Sequence, residues 1–410
     1  MRILQVGPVP ADIGGNTFGG VATHVWDLSR HLAEQGHSVA ILADNFHSPA
    51  ALPVVEKGVN IYGFCNRLVF KCLFKGSLHL SHIYLLKKRC QDLITLRWAM
   101  AQYCLYDYVL HHFKPDVIHV HHLEIRFPFA DFIVKGRVPI VTTIHSLHAI
   151  TFGHPTLAER YRELVKCNFK RSDNLIFVSK SMKSEFNNYI GELDCHSWVI
   201  LNPINTSGFY QMDRTEARVK VGLPKKIPVV LFVGSLTKRK GEYTLLEALK
   251  ILTDSDIYLK AMIIGDGPEA RGVDNYIKEK NLFDIVTRID RLTQEELLLY
   301  YNAADLFVLP STSESFGLVY IESMLCGTPA IGVNATAIPE VIPSKDYGFL
   351  VPQEDAKSLA NAIKLGFQTH WENEKIIAYA KSFGWNKNIH KFEEIYSEVT
   401  CKPSSRKKGR

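Results

Sequence analysis

The chain has 410 residues, of which 46% are hydrophobic and 22% charged, and it carries a net charge of +6. That length suggests two or three domains, and the composition is ordinary for a globular protein. The charge is too mild to call for nucleic acid, although it suits a phosphate-rich ligand or an anionic membrane surface. Eight cysteines without a C-x-x-C pair read as reduced thiols. No run is apolar for long enough to span a bilayer, and residues 1–6 are too short for a signal peptide, so a cytoplasmic protein is expected. Residues 2–6 read as a strand ending at Gly7-Pro8. A glycine-rich segment, GGNTFGGVATHV, follows, with Gly14, Gly15, Gly19 and Gly20. Val21, Val25, Leu28 and Leu32 then recur at helical spacing, and 38–42 is a second strand. A strand, a glycine-rich turn and a helix together suit a phosphate, because backbone without Cβ can come close to a ligand. The G-x-G-x-x-G spacing is absent and no Lys-Ser/Thr follows Gly20, so neither the dinucleotide fingerprint nor a Walker A loop is present.

No acidic residue lies between Glu56 and Asp92, and Arg67, Lys71 and Lys75 fall four apart. This is either a basic amphipathic helix for an anionic membrane surface or an ordinary packed helix with a solvated basic edge. Residues 116–120 read as a strand with His119, His121 and His122 around its end. Three histidines this close suggest metal. Strand alternation, however, sends His119 and His121 to one side and His122 to the other, and no carboxylate or cysteine completes a site. Polar residues at a strand end are the better reading. Residues 139–144 form another strand that ends at His145, in TTIHSLH, where a polar side chain points into the crevice beyond the strand's carboxyl end; His148 is a weaker candidate. Strands at 175–178 and 198–201 close this half.

Residues 229–233 are an apolar strand ending at Gly234. Ser235-Leu236-Thr237-Lys238-Arg239-Lys240-Gly241 follows, then a helix over 242–252. Consecutive basic residues before a helix N-terminus make a diphosphate clamp. A strand at 259–264 leaves through Gly265-Asp266-Gly267-Pro268, a turn sequence. Asp254-Ser255-Asp256 spells D-x-D but enters a strand, at the wrong end of the sheet. Residues 305–333, DLFVLPSTSESFGLVYIESMLCGTPAIGV, read as strand, polar loop, helix, strand. The helix begins near 316–318 and stops at Gly327. Glu314 in the loop and Glu322 on the helix flank the helix N-terminus, with seven residues between them.

E-x7-E set inside PSTSESFGLVYIESMLCGTPAIG resembles the signature of retaining glycosyltransferases of the GT-B fold, family 4. GGVATHV and the segment from Gly234 to Gly241 resemble the same family in the right order, as do Gly265-Asp266-Gly267-Pro268 and Gly348-Phe349-Leu350-Val351-Pro352. The resemblance implies an α/β GT-B fold, two Rossmann-like doubly wound domains facing across a cleft. Residues 1–205 would form the acceptor-side domain, with a variable basic segment at 57–113, and 206–380 the nucleotide-sugar domain. Residues 381–401 would be a helix crossing back to the first domain, and 402–410 a basic tail.

The implied activity is transfer of a hexosyl group, with retention, from a nucleotide-diphosphate sugar. The acceptor would be a glycan, a lipid-linked molecule or a small molecule. His145 would bind and orient the sugar, Glu314 would hold sugar and diphosphate, and Lys240 would neutralise the leaving diphosphate. Gly19, Gly20, Ser235, Arg239, Ile289, Arg291, Phe316, Gly317, Leu318 and Glu322 complete the expected donor site, with Glu322 on the ribose. Ser235 stands where the family has an arginine, which leaves Arg239 or Lys238 to replace it. No metal is expected, since cationic side chains and helix N-termini take its place. The partners are then a nucleotide sugar and its acceptor, without nucleic acid and with the membrane surface open. A sugar-nucleotide epimerase on the same fold and a non-catalytic nucleotide-sugar-binding subunit are the alternatives.

Overall fold

In the computed structural model of the protein, residues 1–15, 19–47, 53–64, 105–121, 138–147, 174–193 and 195–401 are described. Arg67, Lys71, Lys75, His122, His148 and the basic tail lie outside them. Packing divides the chain into two units. The first comprises Met1–Val178, Met182–Ile200 and Asn388–Arg410; the second comprises Ser179–Ser181 and Leu201–Lys387.

The first unit is built on an eight-stranded sheet in the order β3-β4-β2-β1-β5-β6-β7-β8. Its strands are β1 (Arg2–Val6), β2 (Ser38–His47), β3 (Val54–Glu56), β4 (Val59–Phe64), β5 (Val117–Val120), β6 (Ile140–Ile144), β7 (Asn174–Phe177) and β8 (His196–Val199). All pairs are parallel except β3 with β4. Helix α1 (Gly20–Glu34) follows β1, and α2 (Lys180–Ile190) follows β7. The β3–β4 hairpin escapes a reading that looks for apolar runs, because β3 is short and its valines are exposed. Strand β2 runs past Leu42, where the apolar run ends, because it continues beside β4 through a register shift between Leu42 and His47.

The second unit carries a six-stranded, all-parallel sheet in the order β11-β10-β9-β12-β13-β14. Its strands are β9 (Val229–Val233), β10 (Lys260–Ile264), β11 (Val286–Ile289), β12 (Leu306–Val308), β13 (Ala330–Val333) and β14 (Gly348–Val351). A strand covered by helices on both faces should be apolar throughout rather than alternating, and every residue of β9 and β13 is buried. The helices are α3 (Arg214–Lys220), α4 (Glu242–Asp254), α5 (Ala270–Glu279), α6 (Gln294–Ala303), α7 (Leu318–Leu325), α8 (Ile338–Val341), α9 (Ala356–Gln368) and α10 (Asn373–Ala380). Helix α11 (Trp385–Cys401) begins in this unit, and from Asn388 onward it belongs to the first.

Helix α6 begins with a capping box: Glu296 N–H donates to Thr293 Oγ1, and Thr293 N–H donates to Glu296 Oε2 at 2.8 Å. Two otherwise orphaned donors are thereby satisfied. Thr293→Ala should cost about 1 kcal/mol, to be read as a lower urea midpoint at unchanged slope.

In both sheets the chain winds outward in two directions from a central strand. In the first unit β1 lies between β2 and β5; in the second β9 lies between β10 and β12. Loops leaving adjacent strands in opposite directions open a crevice at the strands' carboxyl ends, where open α/β sheets bind ligands. These two positions hold the candidate residues.

Candidate active site

In the second unit, the turn after β9 and the turn after β12 meet. Lys238–Lys240 form one turn of 3-10 helix, and Gly241 caps α4 at φ +75°. A Cβ on Gly241 would stand 2.2 Å from the Pro310 carbonyl oxygen. A side chain there would both strain the backbone and push the loops apart. Lys240 is thereby set against the second loop: its Nζ donates to Glu314 Oε1 at 2.5 Å, and the two side chains are 11% and 10% exposed.

The 311–314 loop is held from several sides. Arg239 Nη1 donates to the Ser313 carbonyl, and the Arg239 carbonyl accepts from Ser311 Oγ and Thr312 N–H. Glu314 N–H donates to Thr336 Oγ1. Gly317, at φ +92°, then opens α7, whose first residue is Leu318. Phe316 is buried and anchors the turn in the core. The result is a buried cation paired with a half-buried anion at the crevice, between the N-termini of α4 and α7. Charges and N–H groups of this kind can hold a phosphate and a sugar hydroxyl.

Glu322, one turn into α7, accepts a hydrogen bond from the Tyr301 hydroxyl at 2.8 Å. Desolvation raises its carboxyl to about 7. The two glutamates of the E-x7-E pattern therefore have different partners and different surroundings.

Of the two basic residues that could replace an arginine at Ser235, Arg239 reaches the 311–314 loop, whereas Lys238 and Ser235 are exposed. Ile289 ends β11 at the sheet edge, two strands from β9, and Arg291 is exposed. Ile289 is thereby separated from the strand that leads to Lys240 by β10. The D-x-D acids are occupied by local structure: Asp254 pairs with Lys250, and Asp256 sits in a turn at φ +57°.

In the first unit, Gly19 caps α1 and Gly20 is its first residue. Beside the β1/β5 switch point lies a buried group of imidazoles. His145 Nε2 is 3.1 Å from His121 Nδ1. His24, from α1, lies with its ring centroid 4.8 Å from that of His145. One ring nitrogen from each of His24, His121 and His145 falls within 4.8 Å of the others. The reading of His119, His121 and His122 as a strand-end cluster with nothing to complete a ligand set needs correction here. The further imidazoles come from α1 and from the end of β6, far away in sequence. Burial lowers His24 to about 3 and puts His119 well below its ordinary value, so both rings are neutral near pH 7.

His24, Gln5, Tyr301 and Tyr396 were not singled out from the sequence. His24 carried a usable signal: it falls on the α1 face defined by Val21, Val25, Leu28 and Leu32, and a polar side chain on a buried face needs a reason.

Comparison with known proteins decides the family. The family profile described as "Glycosyltransferase Family 4" matches residues 18–207, and that described as "Glycosyl transferases group 1" matches residues 213–383. The chain belongs to the group 1 glycosyltransferases. The transferase is 25% identical over 94% of its length to D-inositol 3-phosphate glycosyltransferase of Corynebacterium diphtheriae, covering 91% of that protein. Its fold is that of sucrose-phosphate synthase from Thermosynechococcus elongatus (TM-score 0.76, 21% identity, 97% and 99% of the two chains). It is also that of Anabaena HepE in complex with UDP and glucose (TM-score 0.68, 19% identity, 97% and 98%). The fold class is thus GT-B, with two Rossmann-like sheets, and the chain is a glycosyltransferase. No helix among the described residues is long and apolar enough to cross a membrane.

Proposed function

We propose that the transferase moves a hexosyl group, with retention of anomeric configuration, from a nucleoside-diphosphate sugar to a hydroxyl of a glycan, lipid-linked or small-molecule acceptor. The observation that carries this reading is the Lys240–Glu314 pair between two helix N-termini at the crevice of the second sheet. Cleavage of a glycosyl diphosphate leaves negative charge on the diphosphate, and a fixed ammonium beside N–H groups stabilises that charge as it develops. Glu314 then takes the sugar, Glu322 the ribose, and His145 orients the transferred group. The donor panel spans uridine and adenine nucleotides, because proteins of the same fold are described with UDP and glucose and with ADP.

A thermal-shift panel of nucleotide sugars tests the donor, since a ligand at 100 times its Kd adds about 2.7 kcal/mol to stability. The best donor is then offered with candidate acceptors, and the product anomer is read by NMR. Retention is expected, as is activity in the presence of a chelator. An inverted product, or transfer that stops with chelator and returns with Mg²⁺, would sink the reading.

The two glutamates should also fail differently. The ribose does not change during reaction, so Glu322→Gln removes uniform binding and should raise the donor KM on the order of ten- to hundredfold, with turnover nearly kept. Glu314→Gln misplaces the reacting sugar and should lower turnover instead. Identical patterns in the two variants would show these roles to be wrongly assigned. On the membrane surface, Arg67, Lys71 and Lys75 replaced by Gln should weaken binding to anionic vesicles by about 1 kcal/mol per charge; unchanged binding removes that contact.

A further inference from the structure

Five polar side chains lie on one face of three adjacent strands in the first unit. Gln5 of β1 is in register with His119 of β5. His121 follows two residues later, and Thr143 and His145 occupy alternate positions on and just after β6. A strand period of two puts all five on the same side of the sheet. Tyr396 of α11 closes over them: its hydroxyl lies 3.3 Å from Gln5 Nε2 and 2.6 Å from His119 Nδ1. All are buried. A polar stripe in such a place is tolerated only if it is hydrogen-bonded throughout.

The bonds form a connected chain whose direction can be worked out. Gln5 donates from Nε2 to the Tyr396 oxygen. Burial keeps the phenol above its ordinary range, so its proton is available to His119 Nδ1. His119 then carries its proton on Nε2 and donates to Thr143 Oγ1 at 2.7 Å. On the other branch, Gln5 Oε1 can only accept, so His121 donates to it from Nε2 at 2.7 Å. A neutral imidazole with its proton on Nε2 accepts at Nδ1. The bond between His121 Nδ1 and His145 Nε2 therefore places the His145 proton on Nε2.

We propose that Gln5 is a positioning residue, held by Tyr396, which acts through His121 to fix the orientation of His145 and to keep its proton on Nε2. This rests on the proposed role of His145 in orienting the transferred sugar. With its Nε2–H given to His121, His145 presents Nδ1 as an acceptor in a fixed place; a mixture of tautomers presents it only part of the time. No charge is needed in the chain: burial keeps its member His119, and His24 beside it, neutral.

The test is a long-range proton–nitrogen correlation spectrum of the full chain labelled with ¹⁵N-histidine, with His119, His121 and His145 assigned by substitution. All three should show the Nε2–H pattern in the wild-type protein. Gln5→Leu, close in volume but without the amide, should give a mixed tautomer at His145. It should lower kcat about tenfold while the donor KM changes less than twofold. Tyr396→Phe should have the same sense and a smaller size. Wild-type His145 with its proton on Nδ1 would mean that the whole chain runs in the opposite direction, and would overturn the proposal. So would a Gln5→Leu protein whose His145 tautomer and kcat match the wild type. If Gln5→Leu does not fold, the wild-type spectrum and Tyr396→Phe decide. Failure of the reaction reading shows separately, as wild-type protein that transfers no sugar to any acceptor.

Discussion

Replacing Lys240 by Met should reduce turnover on the order of 10²–10³-fold, the cost of removing one donor aimed at developing charge. The same substitution should also destabilise the protein, and the two effects can be separated. In the wild type the ammonium and the Glu314 carboxylate are paired and almost wholly shielded from water. Removing one partner strands the other, which typically costs about 3–5 kcal/mol for a buried pair. Replacing both partners by neutral groups strands nothing. Lys240→Met combined with Glu314→Gln should therefore recover much of the stability lost in Lys240→Met while turnover stays low. Urea denaturation and single-turnover kinetics on the three variants measure this. If the double variant is no more stable than the single one, the two side chains do not hold one another. If Lys240→Met turns over normally, its ammonium does not meet the leaving group.

Glu242→Gln should flatten the dependence of stability on pH above about 5. Glu242 is the first residue of α4, it is fully buried, and no other residue among those described gives its carboxylate a hydrogen bond. Desolvation raises its carboxyl from 4.5 to about 7; its own backbone N–H and, less, Lys240 oppose the rise, and Glu269 adds to it. A group that holds its proton more tightly when folded stabilises the folded state below its unfolded pKa. That contribution is lost as pH rises through the folded pKa. Stability should thus fall between about pH 4.5 and pH 8, by roughly 3 kcal/mol if the whole shift is expressed, at 1.36 kcal/mol per unit. Glu322 is raised to about 7 as well and contributes with the same sign, so the variant removes part of the slope. Denaturation at pH 5.5 and pH 8 measures the difference. An equal slope in wild type and variant would mean that Glu242 is hydrated in solution.

The second unit was legible because its signals are local. Strand β9 is one apolar run, and Lys240-Gly241 sits directly before a helix. Glu314 and Glu322 flank a helix start that Gly317 enforces. The resemblance to the family falls on the same segments. The histidine group of the first unit was not legible, for the opposite reason. His24, His121 and His145 come from one helix and two strand ends, and Gln5 and Tyr396 are separated by most of the chain. Nothing in the spacing of those residues records that a parallel sheet will set them side by side. The pairing of Glu322 with Tyr301 was hidden in the same way, since α6 and α7 are brought together by packing alone. The hairpin β3–β4 was missed because exposed valines at a sheet edge look like any loop.

The membership of the two units also sets an order of events during synthesis. The second unit is nearly contiguous, from Leu201 to Lys387. Residues 1–200 do not complete the first, because Asn388 onward also belongs to it and Tyr396 closes over Gln5 and His119. At ribosomal speeds of about 5–20 residues per second, roughly 10–40 s pass between the emergence of β8 and that of Tyr396. For that interval the polar stripe on β1, β5 and β6 has no phenol above it, while the second unit can complete its own core. The part of the chain made first is thus the part finished last, and a nascent first unit must wait with α1 against its central sheet but without the closing helix α11.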